Sequence, residues 1–333
     1  MKKWLGVTVL GAVCGCILAL LAVAGLVGTA HAGTLFVADY SAGNGSVNRF
    51  DATTGAFIDQ LSVPGGMGFP GGLTIGPGGN LYSVDQDGGV VNRFNGTTGA
   101  FIGQFVGPGG GLSSPSGLAF GPDGNLYVAN YVANGYVNRY NGVTGAFIDQ
   151  VIPPGFGSFV GGLYYPSGML FGPDGKLYIA DQSNGSVDRF DGSTLVQFTL
   201  PGSNIGNLSG LAFGPDGNLY VTDITQSVVH RFDATTGAFI DEFVPSSSVL
   251  VQPIGLEFGP DGNLYVTDGQ GRVAAFNGTT GAYLGDFIPI GGNLIDPQFL
   301  AFGPSKTSVP EPSTLLLLGF SLVGLAGVRR MSI

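Results

Sequence analysis

The chain repeats the decapeptide Gly-Pro-Asp-Gly-Asn-Leu-Tyr-Val-Thr-Asp, which occupies residues 214–223 and recurs unchanged at residues 259–268. Variants with a few substitutions occupy residues 76–85, 121–130 and 172–181. The opening glycines of these five copies are 45, 51, 42 and 45 residues apart, and a final Gly303-Pro304 pair follows 44 residues later. A strand-rich repeat of this length is typical of a β-propeller, in which each repeat forms one four-stranded blade.

Each repeat contains four segments that read as strands. The first, as in residues 116–120, ends just before the Gly-Pro-Asp-Gly turn, and the second is the Leu-Tyr-Val-Thr-Asp part of the decapeptide. The third and fourth are exemplified by residues 46–50 and 56–60, which flank an Asp-Ala-Thr-Thr-Gly turn at residues 51–55. In both turns a glycine takes the left-handed position, and proline presets φ in the first turn.

The two ends of the repeat region are out of phase. The region starts on a second strand, at residues 34–39, and ends on a first strand, at residues 298–302. Six second strands and six first strands are present, so one blade must combine the two ends. We therefore predict an all-β, six-bladed β-propeller that is closed by pairing of its N- and C-terminal strands. An open ring would leave an unpaired sheet edge, which promotes aggregation.

Over residues 33–304 the decapeptide and the Val-x-Arg-Phe-Asp that follows it resemble the NHL-repeat propellers and their relatives, the SMP-30/gluconolactonase and virginiamycin B lyase groups. The resemblance implies the fold and selects no function, because propellers carry many functions. Enzymes of these groups hold a metal at the propeller mouth with His, Glu or Asn, and the repeats offer no matching set. His230, the only histidine of the repeats, replaces the Asn of other third strands, so we interpret it as a structural variant.

Both ends of the chain look like targeting segments. Lys2 and Lys3 precede an apolar run over residues 5–27, and Ala30-His31-Ala32 offers a cleavage site. We therefore predict a signal peptide at residues 1–32, with a helix, ahead of a propeller domain at residues 33–304.

The C-terminal end, residues 305–333, contains Pro310, Glu311 and Pro312, a short apolar stretch over residues 315–328, and two arginines. This order resembles the PEP-CTERM sorting signal. The resemblance implies a membrane-bound precursor with a short transmembrane helix, an exosortase-type enzyme that removes the tail, and export to the cell surface or extracellular matrix of a Gram-negative bacterium. The alternative is a simple C-terminal membrane anchor.

Composition excludes some partners. The whole chain carries 12 basic and 22 acidic residues, and a processed chain of residues 33–310 would carry about −13. A strongly acidic surface argues against nucleic acid as a partner. Both cysteines, Cys14 and Cys16, lie in the predicted signal peptide, so the propeller has no disulfide.

One candidate site is the residue that closes each second strand. These positions form a ring of Asp39, Asp85, Asn130, Asp181, Asp223 and Asp268. The ring either binds a cation or a sugar, or it accepts loop N–H groups and pairs with the third-strand arginines, which we favour. We predict no cofactor, although the ring leaves open a divalent cation in the channel. Glu257 stands where other repeats have small or apolar residues, and Arg272 is its candidate partner.

A second candidate site lies on the variable loops. The near-identical turns fall at one end of the propeller, whereas the loops that join blades fall at the other, and the longest of them spans residues 151–166. Binding residues usually lie on such loops. The candidate binding aromatics are Phe156, Phe159, Tyr164 and Tyr165 of this loop, together with Tyr40 and Tyr131, which follow ring positions. They either stack on a sugar or a peptide, or plug the end of the propeller.

These observations favour a non-catalytic, surface-displayed or matrix-associated propeller that binds exopolysaccharide or a surface protein. The alternatives are a secreted lactonase- or lyase-like enzyme and a purely structural matrix protein. Near-perfect repetition and the lack of His and Glu argue against the enzyme.

The sorting signal gives the first testable prediction. Replacing Pro310, Glu311 and Pro312 together by alanine should leave the protein in the membrane fraction, because the processing enzyme would lose its recognition motif. Mass spectrometry of the native surface protein should show a chain that begins at Gly33 and ends near Pro310. A mature species that retains residues 315–333 would contradict tail processing.

Overall fold

The computed structural model describes residues 33–40, 45–156, 162–199, 205–246 and 249–304. The predicted signal helix and membrane-sorting helix lie outside these residues. Within them, no helix has the length and apolar character needed to cross a membrane.

The described residues form 24 strands in six four-stranded antiparallel sheets, which confirms the predicted six-bladed, all-β propeller. Blade 1 contains β1 (Thr34–Asp39), β2 (Ser46–Asp51), β3 (Phe57–Leu61) and the last strand of the chain; blade 2 contains β4 (Pro70–Ile75), β5 (Leu81–Asp85), β6 (Val90–Phe94) and β7 (Phe101–Val106). Blade 3 contains β8 (Pro115–Phe120), β9 (Leu126–Asn130), β10 (Tyr136–Tyr140) and β11 (Phe147–Ile152); blade 4 contains β12 (Pro166–Phe171), β13 (Leu177–Asp181), β14 (Ser186–Phe190) and β15 (Leu195–Gln197). Blade 5 contains β16 (Leu208–Phe213), β17 (Leu219–Asp223), β18 (Val228–Phe232) and β19 (Phe239–Val244); blade 6 contains β20 (Leu256–Phe258), β21 (Leu264–Asp268), β22 (Arg272–Phe276) and β23 (Tyr283–Ile288).

Blade 1 joins the two ends of the described chain. Its innermost strand is β24 (Pro297–Phe302), which pairs antiparallel with β1, so that Leu35 faces Phe302 and Val37 faces Leu300. The innermost strand therefore comes from the C-terminal end, and the other three strands come from the N-terminal end.

Apolar side chains and a repeated aromatic contact hold neighbouring blades together. The tyrosine of a second strand meets, edge to face, the phenylalanine that ends the first strand of the next blade, as in Tyr127–Phe171 at 4.9 Å between ring centroids. Tyr220–Phe258 and Tyr265–Phe302 repeat the arrangement at 4.9 and 5.2 Å. The same tyrosines donate to the Asp of their own Gly-Pro-Asp-Gly turn, as Tyr220 does to Asp216 at 2.9 Å. Each tyrosine thus joins a turn to an inter-blade core and satisfies its own hydroxyl.

Glycine allows the innermost strands to approach each other around the channel. A Cβ on Gly117 would lie 2.3 Å from the carbonyl oxygen of Ser167 in the next blade, and a Cβ on Gly72 would lie 2.5 Å from that of Ser116. Five of the six blades have glycine at this position, within the innermost strand or directly before it, and blade 1 has Phe299 of β24 instead. Phe299 is therefore the one large side chain at this position around the channel.

The third-strand arginines do not pair with the ring aspartates as we expected. Arg49, Arg139 and Arg231 each bind the Asp directly opposite on the fourth strand, which is Asp59, Asp149 and Asp241 respectively. Arg93 and Arg189 face Gly103 and Val196, and their guanidinium groups lie over the rings of Phe105 and Phe198. The prediction was wrong because these arginines reach outward along the blade, away from the ring position. Among the arginines that the structure describes, Arg272 alone contacts a ring residue, Asp268, at 2.9 Å.

Candidate functional site at the channel mouth

Phe299 divides the central channel into two cavities. Its side chain lines both of them, and a Cβ on Gly168 of blade 4, opposite in the ring, would lie only 3.3 Å from Phe299 Cε1. The ring of Phe299 therefore extends across the channel axis. The lining of the upper cavity includes residues that follow ring positions, whereas the lower cavity is lined by the ends of the innermost strands, just before the Gly-Pro-Asp-Gly turns.

The upper cavity has a volume of about 290 Å³ and an uncharged lining. Its polar side chains are Gln86, Gln182, Gln298, Ser116, Ser167, Ser209 and Tyr131, and its apolar ones are Phe69, Ile224, Ile254 and Phe299. The three serines are engaged with one another or with backbone: Ser116 donates to the carbonyl of Pro166 at 2.6 Å, and Ser167 and Ser209 share a hydrogen bond at 3.1 Å. The amides and the tyrosine thus supply neutral donors and acceptors at the mouth, next to apolar walls.

The structure brings three of the candidate aromatics together at this mouth. The rings of Tyr131 and Tyr165 are in tilted contact with centroids 4.9 Å apart, and Tyr164 contacts Tyr165 edge to face at 5.5 Å. The hydroxyl of Tyr131 donates to the side-chain carbonyl of Gln182, which lines the same cavity. Tyr164 is 39% exposed, so this cluster presents an aromatic surface to solvent beside the cavity.

The other candidate aromatics lie elsewhere. Tyr40 stacks on Phe69 at 4.3 Å on another side of the mouth. Phe156 contacts Phe190 at 6.1 Å and packs against the core between blades 3 and 4. Phe159 lies outside the described residues.

Tyr165 has an unusual backbone. Its φ is 59°, in the left-handed region that bulky residues rarely adopt. Ser114 and Gln252, which precede the proline of the equivalent loops, have φ values of 49° and 50°. The conformation thus recurs in three of the six inter-blade loops, and blade 4 places a tyrosine in it at the mouth. Strain of this kind is found at binding sites, where a loop must present a particular side chain.

The ring residues bind loop backbone. Asp39 accepts the N–H groups of Ile295 and Asp296 at 2.9 and 2.8 Å, and Asp181 accepts the N–H of Tyr164 at 2.9 Å. Asp85, Asn130, Asp223 and Asp268 make equivalent bonds to the loops beside them. Each ring residue thereby fixes the inter-blade loop that leads to the mouth, including the base of the loop over residues 151–166.

The third-strand residue beside each ring position sets the local charge. Asn48, Asn92 and Asn138 are neutral, whereas blades 4 and 5 have Asp188 and His230. His230 is 2% exposed, and its Nε2 lies 3.2 Å from Asp223 Oδ2. Burial by itself would raise the pKa of Asp223. The hydrogen bonds from His230, Gln226 and Gly206 outweigh burial and lower this pKa. His230 is enclosed within its blade, which is the structural position that we expected for it.

Blade 4 buries two carboxyl groups side by side. Asp181 and Asp188 lie on paired strands, and burial followed by repulsion from Asp181 raises the pKa of Asp188 to about 8. Burial also raises the pKa of Asp181 to about 6, against the bonds from Tyr164 and Asn184. The pair therefore shares a proton near neutral pH directly under the aromatic cluster.

Glu257 is in the lower cavity. Its Oε2 accepts the N–H of Phe302 in blade 1 at 3.1 Å, and burial raises its pKa to about 8. The expected pairing with Arg272 is wrong, because Arg272 binds Asp268 and Asp286, both at 2.9 Å.

The mouth does not fit the metal centre of the enzyme groups that the sequence resembles. The side chains that line the upper cavity include no carboxylate and no imidazole. The carboxylates of the ring bind loop N–H groups. Over the part of the chain that the structure describes, no group of three or more His, Cys, Asp or Glu side chains is placed to hold a metal ion.

Sequence reasoning missed Phe299 and the three glutamines of the upper cavity. Phe299 could have been found, because it is the one residue that breaks the glycine pattern of the first strands. Gln86 and Gln182 occupy the same repeat position as Tyr131, directly after the ring residue. The variation of residue type at this position was a signal from which these glutamines could have been found.

The amino-acid sequence matches one known sorting motif. Residues 308–330 match the PEP-CTERM protein-sorting motif, which indicates an exported, membrane-anchored precursor that an exosortase sorts in Gram-negative bacteria. Comparison with curated protein sequences gave no match.

Solved structures confirm the resemblance of the propeller fold. A chain of the nidogen/laminin complex aligns with a TM-score of 0.62 at 16% identity, over 80% of this chain and 97% of that one. A gluconolactonase from Xanthomonas campestris aligns with a TM-score of 0.54 at 19% identity, over 80% and 88%. An inactive virginiamycin B lyase from Staphylococcus aureus, solved with quinupristin, aligns with a TM-score of 0.56 at 17% identity, over 82% and 90%. At these identities the likeness shows the fold alone.

The carboxyl pair predicts a pH dependence of stability. Folded Asp188 keeps its proton up to about pH 8, while an unfolded Asp releases it near 3.8, so the folded state binds more protons. The contribution of Asp188 to the free energy of unfolding is therefore fully present below the pKa of the unfolded state. It is lost as the pH rises through the pKa of the folded state. Asp188→Asn should raise the free energy of unfolding by at least ~1 kcal/mol near pH 8, roughly 2–4 °C in melting temperature, and by less near pH 5.

Asn48→Asp is the matched reciprocal variant. It places a second carboxyl beside Asp39 in blade 1 and should make the protein less stable as the pH rises over the same range. Urea unfolding of both variants from about pH 5 to pH 9 tests the pair. An Asp188→Asn effect that is independent of pH would contradict a shared proton.

Proposed function

We propose that this protein is a non-catalytic binding propeller, exported and displayed at the cell surface or in the extracellular matrix, that recognises a neutral polysaccharide at the mouth of its channel. Residues 1–32 would serve as the signal peptide and residues 305–333 as the tail removed on sorting. The exosortase that acts on the tail is one partner, and the polysaccharide is the other.

The uncharged upper cavity beside a tyrosine cluster, of which Tyr164 is exposed, carries the proposal. Gln86, Gln182 and Tyr131 offer amide and hydroxyl groups that match sugar hydroxyls, and Tyr164 offers an aromatic face for the apolar side of a sugar ring. The carboxylates that a hydrolase or lyase would use as acid or base are held by loop backbone. Binding without turnover is what such a lining can do.

Propellers of similar fold support more than one role. The nidogen/laminin complex places a propeller in a protein–protein assembly, which favours an interaction role. The gluconolactonase and the lyase are enzymes, and they support the alternative of a secreted lactonase- or lyase-like activity. The lack of a convergent acid, base or metal set at this mouth weighs against that alternative.

The tyrosine pair gives a direct test. Changing Tyr164 and Tyr165 to serine reproduces Ser113 and Ser114, the equivalent residues of the preceding loop, so the backbone should keep its conformation. If each ring contributes about 1 kcal/mol, the double change should weaken binding of the processed protein to extracted matrix polysaccharide by roughly tenfold or more, with little change in melting temperature.

Tyr283→Ser is the control. Tyr283 is 42% exposed, close to the 39% of Tyr164, but it lies on the outer strand β23, away from the mouth. It should leave polysaccharide binding unchanged. A loss of melting temperature without a loss of binding in the Tyr164/Tyr165 variant would show that the cluster is a plug. Turnover of a lactone that Asp181→Asn abolishes in a folded protein would establish the enzyme.

A further inference from the structure

The lower cavity combines a single carboxyl group with apolar walls. It has a volume of about 460 Å³, and residues of all six innermost strands line it. Glu257 is the only charged residue in that lining, and Thr74 is the only other side chain in it with a polar group. The equivalent positions in the other blades are Thr74, Ala119, Leu170, Ala212 and Ala301, so the carboxyl is unique to blade 6.

The carboxyl of Glu257 has no cationic neighbour within this cavity. Arg272, the basic residue of the same blade, is held outside the channel by Asp268, Asp286 and the carbonyl of Val249. The hydrogen bond to Glu257 that the structure gives is the one from the N–H of Phe302, and it uses Oε2. Oε1 therefore remains available to a molecule in the cavity.

The walls decide what kind of cation fits. A divalent metal ion is strongly hydrated and is usually held by several carboxylate or carbonyl oxygens, whereas this cavity has one carboxylate between apolar walls. Phe171, Phe213, Phe258 and Phe302 end four of the innermost strands and line the cavity, with Phe299 closing it above. Aromatic and aliphatic walls suit an organic cation, which sheds its water easily and is attracted by aromatic rings.

The strand edges add acceptors. Each innermost strand is the terminal strand of its sheet, so its inner edge faces the channel without a further strand to pair with. Backbone carbonyl groups along that edge can accept hydrogen bonds from an N–H donor in the cavity. A primary ammonium group has three such donors.

We propose that the lower cavity binds a small organic ammonium ion, with Glu257 as its counterion and the phenylalanine rings around its alkyl part. The site is separate from the mouth, because Phe299 lies between the two cavities. Entry is from the end that carries the Gly-Pro-Asp-Gly turns. Binding requires ionised Glu257, and the bound cation in turn favours ionisation.

The probe is n-butylammonium, with 1-butanol as its neutral counterpart, measured by calorimetry and by ligand-observed NMR on the processed protein. An alkylammonium resembles the Lys side chain, whose pKa is about 10.4, and so stays charged at about pH 6 and at about pH 9. Since burial raises the pKa of Glu257 to about 8, affinity at the higher pH should exceed that at the lower by at least ~tenfold. 1-Butanol should bind at least ~tenfold more weakly than n-butylammonium at the higher pH, since it has no charge.

Glu257→Gln keeps the bond to Phe302 and removes the charge, and it should weaken n-butylammonium binding at about pH 9 by at least ~tenfold. Glu257→Ala introduces the alanine that three other blades have at the equivalent position. It replaces Glu257→Gln in the experiment if the glutamine variant fails to fold. Glu242→Gln makes the same chemical change on the outer strand β19, away from the cavity; it is the control and should leave the affinity unchanged.

A titration of the Glu257 carboxyl by NMR gives an independent readout. Saturating n-butylammonium should lower its apparent pKa, which a purely structural cap on Phe302 would not do. Absence of saturable binding by the unmodified protein would overturn the proposal. Equal binding of 1-butanol, or unchanged binding by Glu257→Gln, would overturn it as well.

Discussion

The pairing of β24 with β1 is the constraint on which the rest of the propeller depends. It joins strands that are separated by almost the whole repeat region, and it closes the ring at blade 1. Without it, blade 1 would lose its innermost strand, and blades 1 and 6 would each expose an apolar face. Closure also sets the width of the channel, because glycines bring neighbouring innermost strands into direct backbone contact. The two cavities, and the side chains that line them, follow from that width.

Closure positions two side chains and one backbone N–H group in the channel. Gln298 enters the upper cavity, Phe299 crosses the channel, and the N–H of Phe302 meets Glu257 of blade 6. All three belong to the one strand that comes from the far end of the chain. The glycine pattern of the other five strands makes room for Phe299, since a side chain on Gly168 would meet its ring. One substitution in an otherwise regular repeat thus converts a continuous channel into an open mouth and a separate lower cavity.

The sequence repeats were sufficient to predict the fold. The candidate site was harder to predict, because it depends on contacts between residues that are distant in the sequence. The first-strand and fourth-strand predictions at residues 116–120 and 56–60 came within one residue of Pro115–Phe120 and Phe57–Leu61, because turn chemistry marks the strand ends. The arginine partners were missed, although Arg49 and Asp59 lie opposite across a hairpin whose register its turn determines. The partner of Glu257 was beyond sequence reasoning, since it is a backbone N–H in the next blade. The contact of Tyr131 with Tyr165 likewise depends on how two blades meet.

Unfolding of residues 33–304 compared with residues 33–295 tests ring closure most directly. Urea titration followed by both circular dichroism and tyrosine fluorescence should show one cooperative transition for the longer chain. Removing β24 exposes a sheet edge and the faces of two blades, so the shorter chain should lose most of its free energy of unfolding, and its transitions should no longer coincide. If the shorter chain unfolds with the same midpoint and the same cooperativity, the pairing of β24 with β1 does not hold the propeller together.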